Sequence, residues 1–166
     1  GELRAVDRGP SAIRLKDMPE TVQNLYQLIN QGFVTRSLHT NHYPYRVHFP
    51  DLQGAMPAIL IEMCVYSAPG TVELLPAMPA SLGHGGIEGV WLYTWAKLEQ
   101  MKWDVHGVRA TITSNRDQTL TLRCRRPIAG FRVNGAAVLV EGDHASVAFS
   151  EGQTTTLEID FQPANG

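Results

Sequence analysis

The residues best equipped for chemistry stand between His39 and Gln53. This stretch holds the imidazoles of His39, His42 and His48, the guanidinium of Arg46, the carboxylate of Asp51 and the amide of Gln53. A carboxylate held at the mouth of a buried helix is one way a catalytic acid is presented, and the neighbouring groups can bind hydroxyls or tune its charge. Asp51 is the candidate catalytic carboxylate, and His42, Arg46, His48 and Gln53 are the candidate substrate-binding groups. An aspartate just ahead of a helix also serves as an ordinary cap, accepting from free amides, so the sequence leaves both readings of Asp51 open. His39-x-x-His42 has a spacing seen in metal sites. On a proline-containing loop with no third ligand it points to no metal, and no cofactor is expected.

These residues need elements to hold them. Phe33 to Pro50 reads as a polar and aromatic loop, and a loop of that length inside a compact domain is more often functional than not. A helix follows over roughly Ala55 to Ser67, with Asp51 in the loop at its mouth. Met56, Ile59, Leu60 and Met63 fall on one side, and Ile61, Cys64 and Val65 fill much of the other. A helix apolar nearly all round must be surrounded by protein. Ahead of the loop, Asp17-Met18-Pro19-Glu20 is a helix start, with a capping acid, a proline in the first turn and a glutamate three residues on. Val22, Leu25, Tyr26 and Ile29 then mark one face for burial, and Gly32 ends the helix.

Ala68-Pro69-Gly70 stops the second helix, Val72 to Leu75 is extended, and a proline-rich connector runs to Pro79. Gly83-His84-Gly85-Gly86 marks a boundary. Beyond it Trp91, Tyr93 and Trp95 alternate with Leu92 and Thr94 as a strand would, offering three rings on one face. Those rings either stack on a ligand or seal the sheet against the helical part. Leu98 to Val105 and Val108 to Thr113 form a hairpin around His106-Gly107. Leu120, Leu122 and Cys124 alternate, Asn134-Gly135 is a two-residue hairpin turn followed by Val138 and Val140, and two further strands carry Val147 and Phe149, then Leu157, Ile159 and Phe161. Seven or eight short strands with frequent turns argue for an antiparallel sandwich. The expected fold class is therefore α+β: a helical segment with its linker over 1–80 and a β-sandwich over 81–166.

Composition narrows the function classes. In 166 residues, 14 basic side chains against 16 acidic ones leave a formal charge of −2, so no overall field draws nucleic acid or anionic lipid. Arg123, Arg125, Arg126 and Arg132 form a local basic patch that reads as a solvated face. No run of about 20 apolar residues occurs, and no membrane span is expected. No basic-then-apolar leader opens the sequence. The cysteines, Cys64 and Cys124, read as free core thiols and leave the compartment open. Hydrophobic residues at 43% with charged residues at 18% describe a folded chain with surface to cover.

Several of these segments together resemble the C-terminal part of family 95 glycoside hydrolases, the α-L-fucosidases and their relatives. They are Arg14-Leu15-Lys16-Asp17 ahead of an amphipathic helix, the Asp51 loop, Ile61-Glu62-Met63, the run from Val72 to Pro79, Gly86-Ile87-Glu88-Gly89-Val90 and the Trp103 to Gly107 hairpin. Leu74-Leu75-Pro76-Ala77-Met78-Pro79 is the most specific part. The resemblance covers residues 14 to 125. It implies the last helices of a truncated (α/α)6 barrel followed by a β-sandwich, and inverting hydrolysis of α-L-fucosidic or related linkages. It also implies an extracellular or periplasmic setting. Aligned back from Glu62-Met63, Asp51 falls on the family's active-site aspartate, which helps activate water, in an arrangement where the two carboxyl groups stand about 6.5 to 9.5 Å apart.

The family pattern is altered nearby. Leu52 and Gln53 stand where the family has glycine and asparagine, His48 and Phe49 where it has phenylalanine and glutamine, and Tyr45-Arg46-Val47 where it has histidine-proline-proline. The family's acidic glutamate has no counterpart, and Glu62 does not match it. The implied partners are the remainder of the helical catalytic domain, or a partner chain, and an oligosaccharide; the chain alone is expected to be inactive. The alternative is a non-catalytic carbohydrate-binding or structural module.

Overall fold

The computed structural model describes residues 18–34, 39–41, 48, 50–79 and 81–163. The described residues form two compact units. One runs up to Cys64 and includes Ala77–Pro79; the other holds Val65–Pro76 and everything described from 81 onward.

The first unit contains two helices, α1 (Met18–Asn30) and α2 (Pro50–Cys64). Proline and glutamate in the first turn of α1 suit free amides at a helix start, and Gly32, at φ 81°, terminates it. The chain then folds back on the helix end, where Val34 N–H donates to Leu28 C=O at 3.1 Å and Asn41 Nδ2 to Gly32 C=O at 3.2 Å. The face that α1 buries is not the one its periodicity marks. Thr21, Asn24 and Leu28 are buried, whereas Val22, Tyr26 and Ile29 are exposed. Periodicity identifies the apolar face of a helix but says nothing about whether a neighbour covers it.

α2 begins at Pro50 rather than Ala55 and ends at Cys64 rather than Ser67. Proline suits the first position of a helix because its missing N–H would have no partner there. Pro57, further in, removes the N–H that would bond Gln53 C=O. The helix is not covered all round: Ile59 and Met63 are buried, while Leu60 and Ile61 are exposed.

The second unit has ten strands: β1 (Val65–Ala68), β2 (Thr71–Leu74), β3 (Gly85–Leu92), β4 (Ala96–Trp103), β5 (Gly107–Ser114), β6 (Gln118–Cys124), β7 (Ile128–Val133), β8 (Ala136–Ala137), β9 (His144–Phe149) and β10 (Thr154–Phe161). They make a four-stranded sheet in the order β1-β2-β6-β9 and a six-stranded sheet in the order β3-β4-β5-β10-β7-β8. All pairings are antiparallel except β2 with β6. Burial alternates along β4, β5, β6, β9 and β10. Leu98, Ile112, Leu157 and Ile159 of the larger sheet and Val72, Leu74, Leu120 and Leu122 of the smaller are nearly inaccessible. Two sheets each burying one apolar face form a sandwich, so the α+β expectation and the strand-rich C-terminal part agree with the structure.

Three local readings change. Val65 to Ser67 extend as strand rather than helix, because Pro69 and Gly70, at φ 79°, turn the chain so that β1 and β2 pair. This hairpin places Val65–Pro76 in the β unit, although the sequence reading put the whole of 1–80 with the helices. Trp91 to Trp95 is not a continuous strand, since Tyr93–Trp95 is the turn between β3 and β4. Asn134 and Gly135 do make the expected turn, at φ 49° and 82°, but the returning β8 is only two residues long, so Val138 and Val140 lie outside it.

Both cysteines are free thiols. Cys124 is fully buried and Cys64 half-buried; burial raises the pKa of both, that of Cys64 to about 11. Thiolate is the reactive form. Native protein at pH 8 should therefore incorporate no iodoacetamide over minutes, whereas protein in denaturant should take up two equivalents. Rapid alkylation of the native chain, read by intact mass, would contradict the burial of these groups.

Candidate functional site

α2 brings Asp51 and Gln53 into one helical first turn. Asp51 is thus the second residue of the helix, not part of a loop ahead of it, and its side chain lies outside the described residues, as do His42 and Arg46. Gln53 is exposed. His48 is exposed too, and its backbone bridges to Asn41. Its Nδ1 lies 3.1 Å from Thr40 C=O, and its ring sits 4.1 Å from that of His39 at an interplanar angle of 42°. With the Nδ1 proton donated to that carbonyl, Nε2 is left as an acceptor. The described part of the expected site is therefore a fixed imidazole pair beside the buried Thr40 and Asn41. Among the described residues no group of three or more His, Cys, Asp or Glu could hold a metal, and no helix is long and apolar enough to cross a membrane.

A second group of candidate side chains gathers at the β3–β4 end of the sandwich. Trp91, Tyr93 and Trp95 are 68%, 82% and 66% exposed. The turn that carries them is tied down by its polar backbone. Tyr93 N–H donates to Ser67 Oγ at 2.9 Å, Thr94 C=O accepts from Gln118 Nε2 at 2.7 Å, and Trp95 C=O accepts from Asn115 N–H at 2.8 Å. Thr94 is wholly buried between the two exposed rings. Trp95 has φ 56°, a conformation in which a bulky side chain is strained. Register then sets Trp91 opposite Lys97, Lys97 opposite Thr113, and Thr113 opposite Thr154. Lys97 Nζ stands 6.0 Å from the Trp91 ring and 2.6 Å from Glu99 Oε2, while the two threonine hydroxyls lie 2.9 Å apart. The hydrogen bond from Lys97 is the main cause holding the Glu99 carboxyl below its ordinary range. The sequence pointed to the three aromatics but missed this polar row. Its signal was the outward-facing alternation of β4, β5 and β10, which can be aligned only once the strand order is known.

Each of the four arginines has an acidic or aromatic neighbour. Arg125 pairs with Glu73 on β2 at 3.3 Å, Arg123 lies 3.3 Å from Asp143, Arg126 stacks over the Phe161 ring at 5.1 Å, and Arg132 on β7 bonds Glu158 at 3.0 Å. On the six-stranded sheet Arg109 and Arg132 flank Asp160 at 2.9 and 2.8 Å. Hydrogen bonding from Arg109 is the main cause lowering the Asp160 pKa; burial opposes it, and hydrogen bonding from Arg132 adds to the lowering. A depressed folded-state pKa stabilises the fold above the unfolded value, near 4, and that stabilisation disappears as pH falls through the folded value. Asp160→Asn should therefore cost at most about 1 kcal/mol at neutral pH and low salt, because partly exposed pairs are screened. The difference from wild type should shrink as pH falls below the ordinary carboxylate range, and it should shrink in molar salt, as read from urea midpoints. A salt-independent loss would mean packing rather than charge.

No family model matches the sequence, and no curated protein matches it. Among solved structures, the chain is similar to a family 127 β-L-arabinofuranosidase from Geobacillus stearothermophilus T6, with TM-score 0.44 and 16% identity over 68% of this chain. It is also similar to a glycoside hydrolase, with TM-score 0.41 and 14% identity over 87% of this chain. The chain spans 18% and 29% of the lengths of these two proteins. Likenesses of this degree assign neither a family nor an activity.

Proposed function

We propose that this chain is the C-terminal portion of a glycoside hydrolase resembling family 95, supplying one wall of an active site and a sandwich domain. What carries the reading is the order of its parts. Two helices precede the sandwich in the chain, the run Val72–Pro79 between α2 and β3 is wholly buried, and α1 keeps an apolar face in solvent, with Tyr26 68% and Ile29 52% exposed. The remaining helices of an (α/α)6 barrel are the natural cover for that face. The same run, Leu74 to Pro79, carries the most specific part of the sequence resemblance.

In this reading Asp51 is the general base of an inverting hydrolysis of an α-L-fucosidic or related linkage. A carboxylate in the first turn of a helix is favoured in its ionised state by the free amides there, which is the state a base needs. Gln53 on the same turn and His48, with its ring fixed by the Thr40 carbonyl, bind substrate hydroxyls together with His42 and Arg46. The acid that protonates the leaving oxygen comes from the rest of the helical domain, in this chain's own polypeptide or in a partner chain.

The test begins with the native material. Its intact mass and subunit composition should reveal the remaining helical domain, and that assembly should hydrolyse 4-nitrophenyl α-L-fucopyranoside with turnover lost in Asp51→Asn. The 166-residue chain by itself should not turn over. A native protein of this chain's own mass with no companion, or hydrolysis by the isolated chain that Asp51→Asn abolishes, would overturn the reading.

A further inference from the structure

We infer that the tip of the β3–β4 hairpin, with Trp91 at its centre, is a saccharide-binding surface separate from Asp51. Three observations converge on it. The first is that Trp91, Tyr93 and Trp95 all reach solvent from one hairpin, although a chain this rich in buried positions had a core to put them in. The second is rigidity. The backbone of the turn is anchored through Ser67, Gln118 and Asn115, so the rings are presented on a fixed frame and little order need be lost on binding. The strained φ of Trp95 points the same way, since glycine would occupy that conformation at lower cost, and strain of this kind collects at functional sites.

The third observation selects the ligand. Across the sheet from Trp91 runs a row of Lys97, Thr113 and Thr154, with Glu99 bonded to Lys97. No aliphatic side chain stands in that row. An aromatic face attracts the weakly positive C–H groups on one side of a sugar ring through its quadrupole. An ammonium, a carboxylate and two hydroxyls beside it supply the donors and acceptors that sugar hydroxyls require. A protein partner would also use tryptophan and tyrosine, but an aromatic anchor in a protein interface is typically ringed by contacts that exclude water; here the neighbouring row is hydroxylated and charged. A saccharide with one apolar face and a hydroxyl rim fits both halves of the surface.

The choice of ligand class rests on the glycoside hydrolase reading, whereas the surface and its test do not involve Asp51. The 166-residue chain is run through native gels containing fucosylated xyloglucan, xylan or dextran, with a polysaccharide-free gel as reference, and tryptophan emission is followed in parallel titrations. At least one polysaccharide should retard the chain and shift its emission. Trp91→Ala should weaken that binding by about ten-fold, the loss of one stacked ring, and Tyr93→Ala should weaken it less. Both side chains lie in solvent, so both variants should keep the wild-type circular dichroism. Leu139→Ala, which removes an exposed apolar side chain on a different part of the sandwich, should bind as wild type. Absence of retardation by all three polysaccharides would overturn the inference, as would unchanged binding by folded Trp91→Ala. Self-association of the wild type that Trp91→Ala abolishes, without polysaccharide binding, would reassign the surface to a protein contact. Binding without fucoside hydrolysis by the native assembly would leave this surface standing while the hydrolase reading fails.

Discussion

Gly107→Ala should destabilise the β unit by about 3 kcal/mol or more, lowering its thermal midpoint by roughly 12 °C or more. Gly107 opens β5 and pairs with Asp160 on β10, near the centre of the six-stranded sheet. A methyl group built there would overlap the backbone carbonyl oxygen of Ile159, and would also meet Arg109 at 3.2 Å. That carbonyl belongs to a paired central strand and accepts from Arg109 Nη1 at 3.3 Å, so it cannot swing away as a flexible side chain would. Relief requires β5 and β10 to part at their end, beside the turn that Asp104 caps by accepting from His106 N–H at 2.7 Å and Gly107 N–H at 3.0 Å. The control is a second glycine-to-alanine change with the opposite sign. Gly54 lies exposed inside α2 with open space around its missing Cβ, so Gly54→Ala should stabilise the helix by about 0.5 to 1 kcal/mol. Urea denaturation of both variants checks the pair. Equal stability of Gly107→Ala and wild type would mean that β5 and β10 do not meet in this register.

The sandwich was the more legible half of the chain because strand grammar and turn chemistry are local. Asn134-Gly135 specifies its own turn, and the alternation through Leu120, Leu122 and Cys124 survives as the buried face of β6. The hairpin at Tyr93–Trp95 was illegible for the opposite reason. It contains neither glycine nor proline, and its shape is held by bonds to Ser67, Asn115 and Gln118, which are remote in sequence. The exposure of Val22, Tyr26 and Ile29 was hidden in the same way, since an amphipathic stripe looks alike whether its cover is present or not. For the candidate site, the signal misread was Pro50. A proline at the first helical position moves the start of α2 back past Asp51 and makes that residue part of the helix. The residue type of His48 advertises its chemistry, but its pairing with His39 and Thr40 follows from a bridge between Asn41 and His48 that no periodicity announces.

Glu73 offers the other large effect, because it is a carboxylate in a strand buried on both faces. β2 lies between β1 and the parallel strand β6, with Val72 and Leu74 inaccessible on one side and Glu73 only 6% exposed on the other. Interior strands of this kind ordinarily carry apolar side chains in sequence. The carboxylate is tolerated where a cation reaches it, and Arg125, just past the end of β6, brings Nε to 3.3 Å while its own side chain remains 43% exposed. Arg125→Met should cost about 3 kcal/mol, because removing one partner leaves the other charge buried with less compensation. The partial exposure of Arg125 keeps the loss at the low end of the range for buried pairs. Glu73→Met should cost less, since the cation left behind can turn to water. Combining Glu73→Met with Arg125→Met should recover most of the loss, giving a coupling energy of about 2 kcal/mol in a double-mutant cycle from urea denaturation. Additive single effects would show that the two charges do not sense each other and that Glu73 is stabilised by its other neighbours. Strong coupling would identify the pair as the charge contact that joins the 65–76 hairpin to β6, and so as a reason the extended segment after α2 packs with the sandwich.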